Sequence, residues 1–100
     1  MAKFCLSLVC PPEIEEKLLD ALLVTAGDAI FTSTPTFSHG TAHGRWSSVE
    51  QVMGRSRSVT VQVLVTETEM ARLLQALRVS FAGTGVRYWA VPLAAEGEVE

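Results

Sequence analysis

Both histidines, one of the two tryptophans, three glycines and three of the six arginines fall within TFSHGTAHGRWSSVEQVMGRSRS, residues 36–58. His39 and His43 are four apart, a spacing that on a helix would put both imidazoles on one face as a metal pair. Gly40 and Gly44 argue for a loop instead. In a loop, the two histidines with a third ligand from a symmetry-related copy would suit zinc or copper. The plainer reading is polar loop histidines, or hydrogen bonds at an interface. Arg45, Arg55 and Arg57 join them to make residues 39–57 the only basic segment of an acidic chain. Guanidinium groups hold carboxylates and phosphates through paired hydrogen bonds, so an anionic effector or an acidic partner surface fits here. Salt bridges between subunits would use the same chemistry. Trp46 beside glycine and serine is either buried against a neighbour or an anchor for a partner, and Glu50 completes the candidate set.

The rest of the chain has to position that segment. Residues 3–10, KFCLSLVC, alternate with Phe4, Leu6 and Leu8 on one face and Cys5, Ser7 and Val9 on the other, which predicts a strand. Pro11 and Pro12 stop it, and a helix is expected over 12–26, with Glu13, Glu15 and Glu16 at its positive end and Gly27 as its cap. Residues 29–37 read as a second strand, placed on an edge or ending near residue 34 because Pro35 has no ladder donor. Residues 57–65 predict a central strand, with Val59, Val61, Val63 and Val65 facing the core and a semi-polar second face suited to meeting another subunit. Thr66-Glu67-Thr68-Glu69 is a capping box that opens a helix over 67–81, which ends at Gly83. Residues 86–93 form a last strand in which Tyr88 and Trp89 are read as core and interface, and residues 95–100 form a polar tail. The segment 38–56 is left as a connecting loop. Strand, helix, strand, strand, helix, strand is the α+β ferredoxin-like βαββαβ plan: a four-stranded antiparallel sheet with two helices on one face.

Composition narrows the function classes. One hundred residues make a single domain, 1–100, and 48% hydrophobic residues are more than a monomer of that size hides, which implies an interface. A net charge of −3 supplies no field for a nucleic-acid backbone, so no nucleic-acid partner is expected. No apolar run approaches the roughly 20 residues that span a bilayer, so no membrane insertion is expected. The short run at the N-terminus stops at Pro11 and reads as a strand, not an export signal. Cys5 and Cys10 would lie on opposite faces of one extended segment, too far apart to bridge, and reduced thiols point to the cytoplasm. A metallochaperone CxxC is lacking, as are a phosphate cradle after the first strand and any Ser-His-Asp or Cys-His set, so an enzyme is not expected.

Three stretches carry a resemblance. CPPEIEEKLLDALL, then SHG followed by EQVMGRSRSVTVQVLV, then LLQALRVSFAGTGVRYWAVPL closely resemble a small bacterial family of PII-like proteins, related to PII and CutA and often encoded beside heavy-metal efflux systems. The resemblance covers residues 3–97. It implies the same fold, a homotrimer whose sheets face one another round a threefold axis, and a 38–56 segment equivalent to the PII loop that reaches effectors and targets. One departure stands out. PII proteins have a glycine-rich phosphate-binding loop before the last strand, whereas FAGTGVRYW is shorter and supplies only Thr84, Gly85 and Arg87, which argues against nucleotide binding. The expected function is a non-enzymatic, cytoplasmic, PII-like regulatory module tied to heavy-metal resistance. It would act through His39, His43, Arg45, Trp46, Glu50, Arg55 and Arg57 on a membrane transporter, another partner protein or an effector. The alternative is direct zinc or copper binding by His39 and His43.

Overall fold

The computed structural model describes residues 3–25, 29–39 and 55–100. The elements are β1 (Lys3–Cys10), a 3-10 turn (Pro12–Ile14), α1 (Glu15–Thr25), β2 (Phe31–His39), β3 (Arg55–Thr66), α2 (Glu67–Phe81) and β4 (Arg87–Pro92). The four strands form one antiparallel sheet in the order β2-β3-β1-β4. The expected ferredoxin-like βαββαβ plan is therefore the fold.

Period-two alternation decides which sheet face is buried. Leu6 and Leu8 of β1 and Val59, Val61, Val63 and Val65 of β3 form one core with Leu18 and Leu22 of α1 and Leu73 and Leu77 of α2. Both helices thus cover the same face. Leu6 stands opposite Val63 and Ala90, in the middle of the sheet and wholly out of water. The other face carries Cys5, Ser7 and Val9, then Ser58, Thr60, Gln62 and Leu64, with Trp89 and Val91 from β4 beside them.

Several boundaries differ from the sequence reading, three of them with consequences for the fold. The expected helix over 12–26 opens as a 3-10 turn, closed by the Ile14 amide donating to the Pro11 carbonyl at 3.0 Å, and turns α-helical only at Glu15. First-turn N–H groups have no α-helical partner, and a 3-10 bond such as this one commonly closes a helix start. Gly27 lies outside the described residues. β2 takes the edge, as Pro35 demands, but it does not stop at residue 34: the ladder runs through Pro35, opposite Val59, to His39. On an edge strand a proline can turn its missing donor away from the neighbour. Finally, β3 begins at Arg55, two residues before the expected start, so both ends of the supposed 38–56 loop are strand.

The α2 cap is formed as expected. The Glu69 amide donates to the Thr66 hydroxyl at 3.2 Å, and the Thr66 amide donates to the Glu69 carboxylate at 2.7 Å. Those hydrogen bonds from Thr66 hold the Glu69 carboxyl below its ordinary 4.5. A carboxyl lowered in the folded state adds stability above about pH 4.5, and that stability is lost as pH falls through the folded value. Thr66→Ala is expected to cost about 1 kcal/mol in urea unfolding at pH 7. The penalty should change little as pH falls through the folded value of Glu69, because the substitution removes the hydroxyl that accepts from the Glu69 amide, whereas protonation weakens the separate bond donated by the Thr66 backbone amide.

Candidate functional site: a ribbon with two unlike faces

β1 pairs with β3 only over Val59–Thr66, whereas β2 pairs with β3 down to Arg55. Residues 36–39 and 55–58 therefore project past the rest of the sheet as a two-stranded ribbon. Phe37 stands opposite Arg57, and His39 opposite Arg55. By alternation these four side chains share the face that carries Val59 and Val61 further along. The other ribbon face holds Thr36, Ser38, Ser56 and Ser58. One face is cationic and aromatic; the other is hydroxyl-rich.

Each face is fixed by a contact of its own. The Arg55 guanidinium carbon lies 4.4 Å from the centroid of the Phe37 ring, a cation–π distance that holds the cation above the strand. Phe37 keeps half its surface in water, and His39 and Arg57 are exposed. On the opposite face the Ser38 and Ser58 hydroxyls share a hydrogen bond at 2.6 Å, with Ser58 buried.

His39, Arg55 and Arg57 are thus brought together on one surface. His43, Arg45, Trp46 and Glu50 fall in residues 40–54, outside the described residues. Phe37 was not singled out from the sequence, yet its signal was present: it sits two residues before His39, the spacing of one strand face. Among the described residues no three His, Cys, Asp or Glu side chains converge as metal ligands. Across the ladder His39 stands opposite Arg55, whose positive charge disfavours a cation bound nearby.

The remaining sequence candidates sort by burial. Cys10 packs in the core and Cys5 is half-buried on the open face; both are free thiols. Desolvation, reinforced by the negative charges of Glu15 and Glu13, pushes the Cys10 thiol up to about 11. Iodoacetamide at pH 8 is therefore expected to leave Cys10 unmodified in the folded protein and to label it once urea unfolds the chain, read by peptide mass. Tyr88 and Trp89 are not core in the single chain, since each exposes about half its surface on the edge strand β4. The turn before β4 needs glycine at Gly83 and Gly85, with φ of 80° and 91°. Between them the Thr84 hydroxyl donates to the Phe81 carbonyl at 2.6 Å, so it closes the end of α2. None of the described residues belongs to a helix long and apolar enough to cross a membrane.

No curated protein matches the sequence. Solved structures match the fold over its full length. A DUF3240 family protein from Shewanella baltica OS155 is 17% identical with a TM-score of 0.79, the match covering 100% of this chain and 99% of that one. CPII, a nitrogen regulatory PII-like protein from Thiomonas intermedia K12 bound to ADP, AMP and bicarbonate, is 12% identical with a TM-score of 0.74, over 99% of this chain and 98% of that one. The periplasmic divalent cation tolerance protein CutA from Archaeoglobus fulgidus is 16% identical with a TM-score of 0.71, over 98% of this chain and 89% of that one. At these identities the likeness is one of fold. Residues 1–100 also match the family described as "Protein of unknown function (DUF3240)", and the chain therefore belongs to the DUF3240 family.

Proposed function

We propose that the chain is a non-enzymatic, PII-like regulatory module that binds carboxylate or phosphate groups of a partner protein or effector through the cationic face of the β2–β3 ribbon. The observation that carries this reading is the grouping of Arg55, Arg57 and His39 on one face of a ribbon that extends past the β1–β3 pairing. Phe37 adds an apolar platform beside the charges, and Arg55 already lies against it. Residues 40–54, with Arg45 and Trp46, continue from the tip of this ribbon. A fold neighbour that is nitrogen regulatory and binds ADP, AMP and bicarbonate supports a regulatory role with an anionic effector.

The assembly proposed is a homotrimer. Supporting it, among the described residues, are eight large apolar side chains exposed on the single chain besides Val99, Leu23, Val24, Ile30, Trp89 and Val91 included, and a sheet face that neither described helix covers. The free thiols support a reducing compartment, the cytoplasm. The tie to metal resistance rests on the resemblance to proteins encoded beside efflux systems and on a fold neighbour named for divalent cation tolerance. A membrane transporter of that kind is the partner it suggests.

Native mass spectrometry and fluorescence anisotropy test the reading together. A labelled hexaglutamate peptide and ATP serve as carboxylate and phosphate probes. The wild type is expected to bind at least one of them, and the Arg55→Ala/Arg57→Ala variant to bind it roughly tenfold more weakly. Binding unchanged in that variant would refute the reading. Stepwise zinc or copper uptake that disappears in His39→Ala/His43→Ala would replace it with metal binding.

A further inference from the structure

We propose that the acidic segment 94–100 of one copy lies along the cationic ribbon face of another copy, where it competes with the acidic ligand. This rests on the reading of that face as an anion-binding surface. Glu96, Glu98 and Glu100 are exposed, and none of them has a hydrogen bond or ion pair among the described residues. They recur every second residue. In an extended chain that spacing puts all three carboxylates on one side, roughly 7 Å apart. Arg55 and Arg57 have the same spacing on β3, with His39 directly across from Arg55. The two rows match in pitch and oppose in charge.

The geometry also fixes which copy supplies the segment. The Leu93 amide donates to the Lys3 carbonyl at 2.9 Å, and Lys3 stands opposite Thr66, so the segment leaves the sheet at the level of Thr66. Arg55 lies at the other end of the twelve-residue strand β3, about 36 Å away at the rise of an extended chain. Three extended residues past Leu93 span at most about 11 Å, which leaves Glu96 about 25 Å short of Arg55. Its own chain cannot bring the three glutamates onto the ribbon. A second copy can, because ribbon and acidic segment sit at opposite ends of the sheet and so complement one another end to end. The contact is a screened surface one, weak enough to be displaced by a partner of higher charge density.

The test measures binding of labelled hexaglutamate to the full chain by anisotropy at low salt. The Glu96→Gln/Glu98→Gln/Glu100→Gln variant is expected to bind roughly threefold to tenfold more tightly than the wild type. Its advantage should vanish in about 0.5 M salt and in an Arg55→Ala background. A Glu16→Gln/Asp20→Asn/Glu67→Gln control, with the same change in net charge, is expected to show no such gain. Equal binding by wild type and tail variant, or an equal gain in the control, overturns the competition and leaves the ribbon reading standing. Failure of wild type and variant alike to bind the probe or ATP overturns both. Contact between copies is read by carbodiimide cross-linking of mixed unlabelled and ¹⁵N-labelled Arg55→Lys protein. Links from position 55 to Glu96, Glu98 or Glu100 are expected in mixed-isotope pairs, and links confined to single chains would refute the arrangement.

Discussion

Leu6→Ala is expected to lower the unfolding free energy by roughly 3 to 4 kcal/mol. Leu6 is fully buried on β1, a central strand, and it joins the valines of β3 to the leucines of both helices. Truncation removes apolar contact and leaves a cavity between layers that cannot close, because strands on either side hold β1 in register. The neighbouring layer supplies a control. Leu23 on α1 exposes 56% of its surface, and Leu23→Ala should change stability by less than about 1 kcal/mol. Urea unfolding at one fixed protein concentration makes the comparison, since any assembly adds a concentration-dependent term. A Leu6→Ala loss no larger than that of Leu23→Ala would mean that the helices do not pack on this face.

The contrast between those two leucines was only half legible in the sequence. The face of β3 that carries Val59 to Val65 announces itself by strict alternation, and the Thr66–Glu69 cap by its spacing, because both are local patterns. What alternation cannot report is pairing with a strand distant in sequence. Arg-Ser-Arg-Ser at 55–58 has no apolar period, so periodicity alone starts the strand later; the ladder to Thr36–His39 is what extends it. That ladder turns His39, Arg55 and Arg57 from loop residues into neighbours on one face, and it brings Phe37 among them. The edge position of β2, by contrast, was one of the two readings Pro35 left open, the other being an end near residue 34. Tyr88 and Trp89, read as core and interface, are not core in the single chain for a related reason. An apolar edge strand has the same composition as a buried one, and only the sheet order reveals that no strand among the described residues lies beyond β4.

That uncovered edge sets the second large effect, which is on assembly. Trp89→Glu is expected to convert the wild-type oligomer, proposed as a trimer, into monomer in sedimentation velocity, with the far-ultraviolet circular dichroism unchanged. Trp89 exposes 51% of its surface and stands opposite Ser7, on the face that no helix covers, with Val91 equally exposed two residues on. The single chain can accept a carboxylate there because water still reaches it. An interface cannot: burying the tryptophan contributes roughly 1.5–3 kcal/mol of apolar transfer per site, and a buried unpaired carboxylate reverses the sign. Each interface would then lose several kcal/mol, enough to raise its dissociation constant by roughly a thousandfold. Val79 is a stricter comparison than an alanine scan. It is apolar and 79% exposed on α2, and Val79→Glu should leave the oligomer intact if association uses the open sheet face. Should Val79→Glu dissociate the oligomer and Trp89→Glu spare it, the subunits meet through the helical layer, and the semi-polar face of β3 is turned to solvent instead.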